Sequence, residues 1–202
     1  MKKGASLIRL ASSDDAADVA AIYAPYVRDT AITFEIEPPS ADEMRDRIVK
    51  TLVGYPWLVC VQGAGVVGYA YAGQHRSRAA YQWSADVSIY VRTGAHRRGI
   101  GRALYTALLR MLPLQGYCNA YGGVTLPNPA SVGLHESFGF RPVGIYERVG
   151  FKHGAWHDVG WWALRLQSPP RPDGPARELA LVQGTQAWKD ALASGQRLLD
   201  AR

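Results

Sequence analysis

A chain of 202 residues with 48% hydrophobic and 20% charged side chains is long enough for one domain with a sizeable core plus a short extra segment, and excludes a large repeat array. Its formal charge of +6 attracts polyanions, yet no run of five or more basic residues occurs, so one multiply phosphorylated small molecule satisfies the charge and no nucleic-acid partner is demanded. Cys60 and Cys118 are too few for a disulfide framework and lack metal-ligand spacing; both are expected as reduced, buried apolar fillers. Met1-Lys2-Lys3-Gly4 runs on to Arg9, Asp14 and Asp15 instead of into the apolar core of a secretory signal, and no stretch approaches the roughly 18 apolar residues of a membrane span. A cytoplasmic location without a membrane partner is the expectation.

Residues 7–11 read as a strand, after which Ser13 is placed to cap a helix with apolar positions Val19, Ile22, Tyr23 and Val27, reaching Arg28. The β-branched and aromatic segment Thr30 to Glu35 ends at Pro38-Pro39. Ser40-Ala41-Asp42-Glu43 then has the form of a capping box before a helix to about Leu52. The loop between these helices is a candidate for chemistry.

Trp57 to Gln62 and Val66 to Gly73, joined by Gly63-Ala64-Gly65, predict a hairpin; Tyr81 to Val91 adds a third strand, making an antiparallel meander. A helix follows Gly99 to about Leu114, and a strand spans Ala120 to Thr125. Asn128-Pro129 then predicts an N-cap with proline at the first helical position of a short helix ending at Gly139. Residues 141–149 and 156–166 read as closing strands around the turn-rich Phe151-Lys152-His153-Gly154. The proline-rich 168–175 reads as a linker, so residues 1–167 form the main domain. Beyond it, 176–202 predicts a weakly amphipathic helical or partly disordered tail interrupted at Gly184, able to dock on the domain, dock on a partner, or fray.

The most informative stretch is Val91-Arg92-Thr93-Gly94-Ala95-His96-Arg97-Arg98-Gly99-Ile100-Gly101-Arg102, an apolar strand passing through a basic glycine turn into a helix. The first amides of a helix lack intrahelical partners and sit at the positive end of its dipole, and glycines admit a phosphate close to the backbone. Such a turn also serves as a plain strand-to-helix connection. A nicotinamide dinucleotide fold is disfavoured because Leu104 stands where the third glycine of that fingerprint belongs.

In this order of elements the chain resembles the GNAT superfamily of acetyl-CoA-dependent N-acetyltransferases over residues 7–167. Thr33-Phe34-Glu35, Gly68-Tyr69-Ala70-Tyr71-Ala72-Gly73, Ser88-Ile89-Tyr90-Val91 and Gly150 to Val159 resemble its phosphinothricin and methionine sulfoximine acetyltransferase branch. The resemblance implies an α/β (α+β) fold with a mixed, mostly antiparallel central sheet flanked by helices and a short C-terminal helical extension. It also implies acetyl-CoA as co-substrate, a homodimer, and a role in antibiotic or herbicide resistance. The family's diphosphate loop matches His96 to Gly101, with His96 where Gln or Arg is usual; Arg97, Arg98, Gly99, Ile100, Gly101 and Arg102 then bind the cofactor. Ile89, Tyr90 and Val91 correspond to the splayed strand whose free amides bond the thioester carbonyl and the pantetheine chain.

Acetyl transfer from a thioester to an amine needs an unprotonated nitrogen, support for an oxyanion and a fate for the departing thiolate. A primary amine is mostly protonated at pH 7, its pKa lying roughly two or three units higher. Asp86, on one strand face with Ser88 and Tyr90, is the candidate proton acceptor, where branch relatives commonly have Glu. A lone strand Asp also serves simply to pair an arginine or a loop amide. Asn128 to Phe140 matches the family's Asn-x-x-Ser/Ala-x-x-x-Tyr/His-x-x-x-Gly-Phe pattern, which assigns Asn128 and Ser131 to the cofactor and His135 to catalysis, as acid or base.

For the acceptor, Phe34, Glu35, Arg76 and Arg78 resemble the branch's substrate region, an arginine fork suiting a carboxylate. His153 and His157 lack a third ligand, so no metal is expected. The expected reaction is direct acetyl transfer, in a ternary complex, to a small amino-acid analogue. A polyamine, an aminoglycoside or a protein N-terminus as acceptor stays open, as does a non-enzymatic CoA-binding module.

Overall fold

The computed structural model describes residues 6–168 and 172–201; the expectations for Met1 to Gly4 and for part of the proline-rich linker lie outside them. Seven strands form one sheet in the order β1-β2-β3-β4-β5-β7-β6. They are β1 (Ser6–Leu10), β2 (Trp57–Gln62), β3 (Gly65–Gln74), β4 (Ser84–Val91), β5 (Asn119–Leu126), β6 (Arg141–Lys152) and β7 (Ala155–Arg165). Among the described residues only β4 and β5 pair in parallel; every other neighbour is antiparallel, so the expected mixed sheet is observed.

Helices α1 (Ala16–Asp29) and α2 (Ala41–Leu52) cover one face. The other face holds α3 (Ile100–Gln115), α4 (Pro129–Ser137), the single turn α5 (Leu179–Val182) and α6 (Gln186–Asp200). Two apolar clusters result, one on each side. Met44, Ile48, Val19 and Trp57 belong to the first, and Leu104, Leu108, Met111 and Trp188 to the second. Cys60 is buried as expected, whereas Cys118 is only half-buried.

Local chemistry sets most boundaries. Ser40 and Glu43 cap each other's backbone at the start of α2, and the Asn128 side chain accepts from Ser131 N–H at the start of α4. The first helix departs from expectation: Ser12, not Ser13, is the cap, with Asp15 closing the box, because residues 13–15 form a 3-10 turn before α1 begins. Residues 79–81 are likewise a 3-10 turn, so β4 starts at Ser84. Tertiary pairing extends β6 to Lys152, where turn residues pointed to an earlier end.

The tail helix packs on the body. Gly195 of α6 lies so close to α3 that an added Cβ would meet the Ala103 carbonyl oxygen and come within 3.0 Å of the Ala107 Cβ. Gln196 accepts from Ile8 N–H at 2.9 Å and donates to Ser6 O at 2.7 Å, pairing polar groups along the outer edge of β1.

Candidate active site

The parallel pairing of β4 with β5 stops after Asp86 and Tyr121, and the strands then diverge. Arg92 N–H bonds to Val67 O on β3, while Trp83 O accepts from Cys118 N–H next to β5. Backbone polarity alternates with a period of two, so the main-chain groups of Val87, Ile89 and Val91 turn toward the gap. The opening is a cleft of about 50 Å³ lined by Ser88, Ile89, Tyr90, Thr125, Asn128 and Ser131, with Tyr105 and His135 behind. Tyr26 Oη and His96 Nε2 lie 2.6 and 3.0 Å from Val91 O, closing the gap's far end.

That end leads to the N-terminus of α3. Arg97 and Gly99 both adopt left-handed backbone, φ 61° and 79°, curling the chain into the helix. Gly99 is the N-cap and offers no side chain, so no side chain caps the first-turn amides. Arg97, Arg98 and Arg102 are exposed around them, the Arg102 guanidinium 5.7 Å over the Phe138 ring. A Cβ at Gly101 would make ordinary contacts of 3.4 Å with Ile89 and 3.5 Å with Leu134. Uncapped amides ringed by arginines fit a diphosphate group.

On the wall from α4, His135 is 3% exposed. Its Nδ1 lies 2.8 Å from Ser131 O, and its Nε2 lies 3.1 Å from Tyr105 Oη. The carbonyl requires the proton on Nδ1, which leaves Nε2 to accept from the phenol. Burial lowers the imidazole pKa, and burial pushes the Tyr105 hydroxyl far up. The ring rests on Gly122, where a Cβ would fall 2.5 Å from Nε2.

On the opposite sheet face, Asp86, Ser88 and Tyr90 point together, beside Tyr71 and the Trp57 ring stacked on it at 4.2 Å. Asp86 Oδ1 is 2.6 Å from His75 Nδ1. Burial raises the Asp86 carboxyl pKa, opposed by the His75 hydrogen bond and by the charges of His75 and Arg76. Arg76 lies 5.7 Å over the Trp161 ring. Arg78 is exposed and, with Arg76 and Tyr81, borders a separate depression of about 180 Å³. The charge of Arg76 thus acts on Asp86 without an ion pair between them, and both arginines border the depression.

The loop between α1 and α2 is tied down from below. Lys152, 4% exposed, donates from Nζ to Val27 O at 2.6 Å and Thr33 O at 2.8 Å. The Glu35 carboxylate accepts hydrogen bonds from Nη1 and Nη2 of Arg47 and from the Tyr23 hydroxyl. Phe34 lies against Gly150, leaving no room there for a side chain.

Comparison with known proteins decides the family. The model of the acetyltransferase (GNAT) domain matches residues 8–161. The chain belongs to the GNAT acetyltransferase family. It is thus an acetyl-CoA-dependent N-acetyltransferase. It is 38% identical over 174 residues to a phosphinothricin N-acetyltransferase of Streptomyces viridochromogenes, covering 85% of this chain and 95% of that one. It is 31% identical over 167 residues to an L-methionine sulfoximine/L-methionine sulfone acetyltransferase of Salmonella typhimurium, covering 82% and 98%. Among solved structures, a GNAT superfamily phosphinothricin acetyltransferase from Sinorhizobium meliloti, in complex with acetyl-CoA, superposes with TM-score 0.80 at 32% identity, covering 84% and 95%.

In this acetyltransferase the sequence reading missed His75, Tyr105, Tyr26 and Arg47, the direct partners of Asp86, His135, Val91 and Glu35. Nothing local marks them. The pair His153 and His157, weighed as metal ligands, approach the Thr30 and Lys152 carbonyls at 3.2 and 3.0 Å. Among the described residues, no group of three or more His, Cys, Asp or Glu side chains is placed to hold a metal.

Proposed function

We propose that this acetyltransferase moves the acetyl group of acetyl-CoA to the α-amine of a small amino-acid analogue of the phosphinothricin or methionine sulfoximine type, directly and in a ternary complex. One observation carries the reading: the divergence of β5 from β4 leaves the main-chain groups of Ile89 and the N–H of Val91 facing the gap, three and five residues beyond a carboxylate at Asp86 that shares the face of Ser88 and Tyr90. The names of the relatives support the substrate class.

Acetyl-CoA supplies an activated acyl carbon when bound. The uncapped amides at the start of α3, with Arg97, Arg98, Gly99, Ile100, Gly101 and Arg102, hold its diphosphate; Asn128 and Ser131 border its path. Tyr90 sets its ring against Tyr23 and Tyr26, fixing β4 while the Ile89 or Val91 N–H receives the developing oxyanion. Asp86 takes the proton of the incoming amine, through one water given its short side chain. His135, held neutral, acts on the thioester side as the hydrogen-bond acceptor that orients the Tyr105 hydroxyl. Phe34, Glu35 and Arg76 line the acceptor side, Arg76 offering its fork to a carboxylate, with Arg78 at the rim.

The same reading includes a cytoplasmic homodimer and a detoxifying role, since acetylating such an amine removes its charge. Exposed Ile145, Tyr146, Val149 and Phe151 on the edge strand β6 and Trp156 on β7 leave that hairpin apolar on its surface, suited to a second copy. The test is a panel of free amines assayed for thiol release, with size measured by light scattering. Turnover of phosphinothricin or methionine sulfoximine is expected; preference for a polyamine, an aminoglycoside or a peptide N-terminus would replace the substrate class, and acetyl-CoA binding without turnover of any amine would favour a regulatory module.

A further inference from the structure

Asp86 can serve as proton acceptor only if its carboxylate is fixed, and the structure shows what fixes it. The Arg76 guanidinium does not do so: its Nη1 donates to the His75 carbonyl at 3.3 Å and its plane lies over Trp161. The bond to Asp86 comes from the imidazole next door. His75 Nδ1 is 2.6 Å from Asp86 Oδ1, and the His75 side chain is only 11% exposed against 34% for Asp86.

The ring itself is clamped. It stacks on Tyr121 with centroids 4.2 Å apart and planes 12° from parallel, and meets Tyr81 and Trp161 edge-on at 6.0 and 6.2 Å. Elements from three parts of the chain thus converge on one imidazole: the turn before β4, β5 and β7. A packing residue needs no such alignment of one nitrogen with one oxygen.

We propose that His75 is a positioning residue for the transfer reaction, its clamped Nδ1–H fixing Asp86 Oδ1 so that Oδ2 is the oxygen left to accept the amine proton. This deepens the reading of the site as an amine acetyltransferase and rests on it. The first proton leaves the ammonium nitrogen, crosses at most one water, and forms an O–H bond on Oδ2; the freed lone pair attacks the acyl carbon, the C–S bond breaks as the amide forms, the second N–H proton ends on the departing sulfur so that CoA leaves as the thiol, and Asp86 returns its proton to solvent after product leaves. The imidazole keeps its own proton throughout.

The charged and titratable groups facing the pair are Arg76 and Tyr71 from β3 and its following turn, Tyr81 from the 3-10 turn, and Tyr121 from β5; Trp161 from β7 is neutral. Because the His75 bond opposes the upward push of burial on Asp86, removing it raises that carboxyl further. The acid limb of kcat/KM against pH then moves to higher pH.

The experiment compares His75→Leu with His75→Asn, whose Nδ2–H occupies the place of the imidazole Nδ1–H. In His75→Leu, kcat/KM for the amine falls about tenfold at pH 6, with the acid limb displaced upward and the KM for acetyl-CoA unchanged; His75→Asn returns the limb to its original position. A limb that stays put in His75→Leu, or that moves equally in both variants, overturns the proposal. Nitrogen-15 spectra of the imidazole give an arm independent of turnover. A protonated Nδ1 whose shift changes in Asp86→Asn supports the pairing, and its absence refutes it. If the wild-type enzyme turns over no amine while that signal persists, the acceptor reading fails and the pairing stands.

Discussion

Tyr105 and His135 form a buried pair in which the phenol donates to Nε2 across 3.1 Å while Nδ1–H is spent on the Ser131 carbonyl at 2.8 Å. Both ring nitrogens are committed to the neutral imidazole. Protonating Nε2 would turn an acceptor into a donor facing another donor, in a site that already disfavours charge.

The first expectation concerns stability against pH. The folded pKa of His135 lies below its unfolded value, so the unfolded chain binds more protons and stability falls as pH drops through the unfolded value near 6.5 toward the folded one. Thermal melts should show a smaller loss between pH 7 and pH 5 for His135→Phe than for the wild-type chain. An equal loss would mean that His135 titrates as freely in the fold as out of it.

Asp86→Asn removes the proposed proton acceptor and keeps the shape. Steady-state rates at pH 7 should fall by about 10²–10⁴ with acetyl-CoA affinity unchanged, and recover in part at pH 9, where more of the amine is already deprotonated.

At the start of α3, helix stability and the proposed donor binding make opposite demands. Gly101→Asp has room for its Cβ, and a carboxylate in the first turn should stabilise the helix by about 0.3–1 kcal/mol. The same charge repels a diphosphate. Calorimetry should register at least a tenfold loss of CoA affinity in a protein that melts no lower than wild type.

Lys152→Met strips the Val27 and Thr33 carbonyls of their buried donor, at a cost of about 1–3 kcal/mol. Since these carbonyls bracket the loop holding Phe34 and Glu35, the amine KM should rise while the KM for acetyl-CoA holds steady. Denaturant melts and two-substrate kinetics together would detect both.

Gly195→Ala forces a methyl group against the Ala103 carbonyl. Overpacking of this kind costs about 1–3 kcal/mol and should lower Tm by about 2–4 °C per kcal/mol. Hydrogen exchange should speed up in α6 and along β1, where Gln196 pairs with the backbone.

What was legible in the chain is what depends on neighbours in sequence. The Ser40 to Glu43 capping box, the Asn128-Pro129 helix start and the hairpin through Gly63 each involve groups within a few residues, and each formed as read. The Ser12 cap was displaced by one residue because a 3-10 turn precedes α1, a choice that Ser12 and Ser13 do not distinguish on their own. His75 and Tyr105 were invisible for another reason. They are 11 and 30 residues from their partners, and only the sheet register and the seating of α3 bring them there. The tail's apolar stripe was readable, but its partner was not, since small residues at Ala103 and Ala107 look like any helix interior.

Along β4, odd positions lend their backbone to the gap beside β5 and even positions send their side chains to the other face. In the proposed reading, recognition of donor and acceptor is thereby written in two separate alphabets on one strand. Under the proposed reading, an exchange at 88 alters the side-chain face next to Asp86 while the main-chain groups of Ile89 stay turned to the gap, so the two surfaces of one strand can change independently.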